Sequence, residues 1–436
     1  MAPARTPDIA AKRLPKAQYA ANFTDLHPPL NAHEALVESD RCYFCYDAPC
    51  MKACPTSIDI PLFIREIQAG NPKSAAKTIF NQNILGGMCA RVCPTETLCE
   101  EACVREHAEG KPVKIGLLQR YATDQAMADK HPYNRAKSSG KKVAVVGAGP
   151  AGLACAHRLS MHGHDVTVFE ARKKSGGLNE YGIAAYKSVD DFAAKEVDFV
   201  LSIGGIKIEN GMALGKKLKL ANLQKDYDAV FLGLGLSGVN ALGDKNEDAD
   251  GIEDAVDYIS DLRQAKDPSK LKVGRNVVVI GGGMTAIDIA VQSKLLGAEN
   301  VTVIYRRGAE HMKASPFEQE LAQTKGVNIK HWVAPKKVLV KSGSVIGLKC
   351  ENTSTGEKFE IKADMIFKAI GQSYIDVTGG TIALDQGRIK VDAEKRTSVK
   401  GIWAGGDCIA GDKDLTVASV DDGRRAAESI HSFLTA

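Results

Sequence analysis

The sequence predicts an α/β protein in which an all-α N-terminal segment precedes two Rossmann-like nucleotide-binding domains. Three observations carry that reading: a helical first quarter rich in cysteine, a strand, glycine turn, helix and strand at "KVAVVGAGPAGLACAHRLSMHGHDVTVFEAR", and a second copy of this unit at "NVVVIGGGMTAIDIAVQSKLLGAENVTVIYRR" about 130 residues later. The 436 residues are 44% apolar with a formal net charge of +4, a globular composition with room for roughly three domains. Lys and Arg are scattered and do not interleave with aromatics, which argues against a nucleic-acid surface. The opening "MAPARTPDIAAKRLPKAQYAANF" has no apolar run of signal-peptide length, and no stretch reaches the ~18 apolar residues of a membrane span, so a cytoplasmic protein is expected.

The N-terminal segment comes first. In "IPLFIREIQAGNPKSAAKTIFNQN" apolar residues recur at helical spacing, and Pro61 sits where a first turn tolerates it. Eight of the 11 cysteines fall here, in "CYFCYDAPCMKACP" and "CARVCPTETLCEEAC". In a reducing compartment such clustering points to metal binding or redox chemistry, not structural disulfides. "NRAKSSGKK" at 134–142 then reads as a polar linker.

In the first βαβ copy Gly147, Gly149 and Gly152 follow a buried strand and open a helix, whose free N–H groups and positive dipole end suit a pyrophosphate. Glu170 ends the second strand, placed to accept hydrogen bonds from a ribose 2′-OH. Near the C-terminus "WAGGDC" supplies a strand, two glycines and Asp407 ahead of a helix at "TVASVDDGRRAAESIHSFL". This pairing resembles the FAD-binding half of flavoprotein pyridine-nucleotide reductases, in which the late Gly-Asp, here Gly406 and Asp407, meets the flavin's ribityl and phosphate.

The second copy reads GxGxxA, with Gly281, Gly283 and Ala286. Tyr305 stands where the first copy has Glu170, and Arg306 and Arg307 follow. Guanidinium forks suit a 2′-phosphate that a carboxylate would repel, which favours NADPH over NADH as the nucleotide. A nicotinamide site beside a flavin site means hydride transfer, with the cofactors carrying the chemistry and no residue needed as general acid. Cys155, Cys350 and Cys408 are scattered singles, so no CxxC is available as a redox disulfide next to the nucleotide domains. The spacings CxxCx4CxxxCP and CxxxCPx5CxxxC instead suit cubane iron–sulfur clusters, the one-electron wire a flavin can feed. Tetrahedral zinc, in a non-catalytic scaffold, is the alternative.

"CYFCYDAPCMKACPTSIDIPLFIREI", "AAKTIFNQNILGGMCARVCPTETLCEEAC" and "KIGLLQRYATD" resemble the N-terminal segment of dihydropyrimidine dehydrogenase, and the nucleotide domains continue the likeness over nearly the whole chain. The small subunit of glutamate synthase shares the module and is the second reading. The family's long form adds an FMN barrel that reduces uracil and thymine. This chain stops at Ala436, so the resemblance implies a separate electron-input subunit of a hetero-oligomer, with an FMN- and iron–sulfur-containing pyrimidine-reducing partner. The expected division is a helical iron–sulfur domain at 1–135, an FAD domain at 136–250 resumed at 370–436, and an NAD(P)H domain at 251–369.

The resemblance also assigns ligands. Cys42, Cys45, Cys50 and Cys103 would hold one 4Fe-4S cluster, and Cys54, Cys93, Cys99 and Gln119 the other, leaving Cys89 a buried thiol. Counting alone gives two cubanes with four cysteines each. FAD contacts are expected at Ala151, Gly177 and Leu178 as well, and NAD(P)H contacts at Gly282, Thr285 and Gly371. Where the family has a GIPxFR-like segment this chain reads "GIAAYK", so Lys187 is expected to supply the positive charge near the flavin.

Overall fold

The computed structural model describes residues 14–411 and 413–436. Its first parallel sheet has the strand order Ile402–Ala404, Ala229–Leu232, Lys142–Val146, Asp165–Glu170, Ile206–Asn210. The central strands are continuous apolar runs because helices cover both faces, as parallel sheets require. Pro150–Met161 and the C-terminal helix Thr416–Thr435 pack on each other beside this sheet, so closely that a Cβ on Gly423 would stand 2.0 Å from Ala151 O. The sheet, these helices and the cysteine-bearing helices form one compact unit, residues 27–180, 190–237 and 374–436.

Within that unit, "IPLFIREIQAGNPKSAAKTIFNQN" is two helices, Ile60–Gln68 and Pro72–Gln82. Asn71 stops one and caps the other, its side chain accepting from Ser74 N. Phe63, Ile64, Ile79, Phe80, Ile115 and Leu118 share a core onto which Cys42, Cys50, Cys54, Cys99 and Cys103 pack.

The second unit comprises, among the described residues, 14–26, 181–189 and 238–373. Its parallel sheet runs Ile252–Asp254, Met365–Lys368, Asn276–Ile280, Asn300–Ile304, Val327–Lys330, accompanied by an antiparallel sheet of Val333–Lys341, Ser344–Asn352 and Lys358–Lys362. Two short segments join it against the sequence-based division. Helix Lys16–Asn22 buries Tyr19 in this unit's core, and Asn22 Nδ2 donates to Leu295 O, a carbonyl left over at a helix end. Residues 181–189 follow because Tyr186 is buried in the same core. The segment "GIEDAVDYISDLRQ" opens with the edge strand Ile252–Asp254 and continues as the helix Ala255–Gln264.

Candidate functional site

The first dinucleotide turn is fixed by its backbone. Gly147 takes φ +103° and donates its N–H to Phe169 O at 2.8 Å, tying the turn to the neighbouring strand. A Cβ at Gly152 would stand 1.9 Å from Gly147 O, so strand and helix approach only because that position is glycine. Gly149 precedes the helix, and no side chain caps its first N–H groups. Glu170 is buried and ties the turn together: Oε2 accepts from Ala148 N at 2.8 Å and Oε1 from Arg172 N at 2.7 Å. Its carboxylate retains lone pairs beyond these two bonds.

The late glycine pair comes to the same place. A Cβ on Gly406 would lie 3.1 Å from the Ala151 Cβ, and one on Gly177 would lie 2.7 Å from Gly149 Cα. Gly147, Gly149, Ala151, Gly152, Glu170, Gly177, Leu178, Gly406 and Asp407 thus belong to one cradle in one unit. Burial and the nearby Asp414 push Asp407 up to about 6, while Ser419 Oγ donates to it at 3.2 Å.

Lys187 has partners of its own. It lies in the second unit, with its ammonium 2.7 Å from Asp288 and 2.7 Å from Glu318. Burial alone would lower it, but the two carboxylates hold it well above the usual lysine range. Lys187 thus sits in a buried ion-pair triad, which pins residues 181–189 to this unit.

The second turn repeats the first. Gly281 N donates to Ile304 O at 3.1 Å, and Gly283 opens the helix Met284–Leu295, which carries Thr285 and buried Ala286. The Tyr305 ring covers Gly282, where a Cβ would stand 2.5 Å from a ring carbon, and Tyr305 Oη donates to His311 O at 2.7 Å. Arg306 and Arg307 are exposed just beyond it. Gly371 approaches Asn240, whose N–H donates to Gly371 O at 3.1 Å.

The eight N-terminal cysteines form two groups that cut across their order in sequence. Cys42, Cys45, Cys50 and Cys103 line one cavity walled by Ile60, Ile64, Val113 and Ile115. Burial, reinforced by Cys42 and Cys103, pushes Cys50 up to about 12. In the other group Cys93 is raised by its hydrogen bond with Cys89 and by burial, and Cys99 by burial, Glu100 and Cys54. Thiols in such surroundings ionise only when a cationic group compensates them, as iron does, so this donor set fits clusters. Among the described residues no three His, Cys, Asp or Glu side chains are gathered as ligands of a single ion. All cysteines are free thiols.

Cys89 is buried against Leu98 and Val417, the latter in the first turn of the C-terminal helix that follows Asp407. Gln119 is buried on the helix Ile115–Met127 and donates Nε2 to Gly86 O at 2.7 Å, at the start of the helix that carries Cys89. Sequence reasoning missed the props of that short helix. Glu196 Oε1 accepts from Met88 N at 2.8 Å, and Arg91 pairs with Asp124 at 2.8 Å with its guanidinium 3.4 Å from the Phe192 ring centroid. Nothing in local spacing signals partners 33 to 108 residues apart.

Two family models match: residues 19–131 fit "dihydropyrimidine dehydrogenase domain II, 4Fe-4S cluster", and residues 141–423 fit "pyridine nucleotide-disulphide oxidoreductase". The NAD-dependent dihydropyrimidine dehydrogenase subunit PreT of Salmonella typhimurium is 35% identical over 97% of this chain and 98% of that protein. The chain belongs to the PreT family of oxidoreductase subunits. The glutamate synthase [NADPH] small chain of Escherichia coli is 34% identical over 94% of each. Thioredoxin reductase of T. acidophilum shares the fold, with a TM-score of 0.56 and 23% identity over 68% of this chain and 100% of that one. The chain is a pyridine-nucleotide oxidoreductase with an N-terminal iron–sulfur domain. No described helix is long and apolar enough to cross a membrane.

Proposed function

We propose that this chain is the electron-input subunit of a cytoplasmic dihydropyrimidine dehydrogenase. It would oxidise NAD(P)H at FAD and pass single electrons through two 4Fe-4S clusters to an FMN-containing partner subunit that reduces uracil and thymine to 5,6-dihydropyrimidines. The observation carrying this reading is that the Cys54, Cys89, Cys93 and Cys99 group shares a unit with the first glycine cradle, with Cys89 packed on the first turn of the helix that follows Asp407. Bound FAD supplies the change from two-electron hydride chemistry to one-electron release.

The chain's residues do the positioning. The N–H groups beyond Gly149 would hold the flavin's pyrophosphate, Glu170 a ribose hydroxyl, and Asp407 the ribityl and phosphate. Gly281, Gly282, Gly283, Thr285, Ala286 and Gly371 frame the nicotinamide nucleotide. Cys42, Cys45, Cys50 and Cys103 hold one cluster, and Cys54, Cys93, Cys99 and Gln119 the other. With Nε2 committed to Gly86 O, the amide oxygen of Gln119 is the atom left to ligate.

NADPH is the favoured donor because Tyr305 replaces a ribose-binding acid and two exposed guanidiniums follow it. Replacing Arg306 and Arg307 with Ala should raise the NADPH KM and leave that of NADH nearly unchanged. Each charge-assisted bond lost costs about 1.5–3 kcal/mol, or roughly 10- to 150-fold. Steady-state kinetics with both nucleotides decide it, and equal losses would refute the assignment.

The partner is tested by reconstitution. The purified chain should reduce a dye with NADPH yet leave uracil untouched until the FMN subunit is added. A glutamine-dependent partner accepting the electrons instead would favour the glutamate synthase reading, to which the 34% identity over nearly full length lends weight.

A further inference from the structure

The loop between Cys42 and Cys45 carries a backbone oddity. Phe44 sits at φ +51°, a left-handed conformation that bulky residues adopt only when held there. That conformation turns the Phe44 N–H onto Cys42 Sγ, 3.4 Å away. The ring is held on two sides: it packs against the apolar core of the cysteine-bearing helices, and the Arg65 guanidinium, from the helix Ile60–Gln68, lies 4.7 Å from its centroid. Next door Arg105 lies 4.1 Å from the Tyr43 ring centroid while pairing with Glu109, which fixes the other flank of the loop but offsets its charge.

Hydrogen bonds to ligand sulfurs stabilise the more negative, reduced state of an iron–sulfur group, as do nearby cations. We propose that Arg65 and Phe44 act together as a positioning pair: the guanidinium holds the ring, the ring holds the strained backbone, and the N–H so aimed raises the electron affinity of the cluster bound by Cys42, Cys45, Cys50 and Cys103. The step concerned is the uptake of one electron, with no bond made or broken. The proposal rests on the cluster reading given under Proposed function.

The test is a redox titration of the full iron-loaded chain, followed by electron paramagnetic resonance, on Arg65→Met, Phe44→Ala, the double variant and Arg65→Lys. Arg65→Met and Phe44→Ala should each weaken electron uptake at one cluster about tenfold, 59 mV for one electron, and leave the other cluster unmoved. Because the two residues form one device, the double variant should fall no further than the larger single loss. Arg65→Lys, which keeps a cation over the ring, should restore the wild-type midpoint. Unshifted midpoints, additive losses, or Lys behaving as Met in iron-replete protein would overturn the proposal. If Arg65→Met loses its iron, Arg65→Lys decides alone: a wild-type midpoint supports the pair, and a lowered one refutes it. A wild-type chain purified without iron would refute the cluster reading itself.

Discussion

Gly152→Ala should yield a chain that no longer retains FAD. The added Cβ would stand 1.9 Å from Gly147 O and 3.1 Å from Gly147 C, both backbone atoms with no rotamer to escape through. Relief requires the helix Pro150–Met161 to lift from its strand, and that helix is also the one the C-terminal helix crosses at Gly423. Overpacking of this kind costs about 1–3 kcal/mol, and the turn that binds the pyrophosphate is displaced with it. Flavin content after purification and thermal melting measure both effects. Gly283→Ala is the matched control in the second turn, because a Cβ there meets nothing within 4 Å. It should melt like the wild type while binding the nicotinamide nucleotide less well, since only the incoming pyrophosphate meets the new methyl. Unaltered flavin content in Gly152→Ala would mean that this turn is not the FAD site.

Ligand substitutions should separate Cys89 from Gln119. Cys89→Ser should keep about eight irons per chain, as two cubanes require, because Cys89 packs between Leu98 and Val417 as a buried thiol. Gln119→Leu should lose one cluster's stability or shift its spectrum, and it also leaves Gly86 O without its 2.7 Å donor. Gln119→Glu distinguishes the two effects: it cannot donate from that position when ionised, yet it still offers an oxygen to iron. Retained iron in Gln119→Glu beside its loss in Gln119→Leu supports ligation. Iron loss confined to Cys89→Ser would instead return the assignment to four cysteines for each cluster.

Local features were the legible ones. Both dinucleotide turns could be read because strand, glycine turn, helix and second strand are consecutive, so periodicity and glycine spacing contain the whole motif. Cysteine spacing revealed that thiols gather, but not that Cys103 crosses over to join Cys42, Cys45 and Cys50, which depends on how helices 60–68 and 104–109 enclose one cavity. The ion pairs of Lys187 were hidden for the same reason. Its partners Asp288 and Glu318 lie about a hundred residues away or more on two helices, and a lysine beside an aromatic gives no local sign of burial. The segment around helix Lys16–Asn22 joined the second unit through Tyr19, Leu14, Phe23, Leu26 and an amide at Leu295 O, partners far off in sequence. The Phe44 conformation, too, has no signature, since φ above zero is ordinarily announced by Gly or Asn.

The central claim is that one chain takes electrons from a nicotinamide nucleotide and carries them to iron. Anaerobic titration of the purified chain with NADPH, read by absorbance and electron paramagnetic resonance on a sample of known iron and flavin content, tests it directly. The account predicts one FAD and about eight irons per chain, flavin bleaching, and reduced-cluster resonances appearing in the same titration. Flavin that bleaches while the clusters stay oxidised, or zinc found where iron is expected, would contradict it.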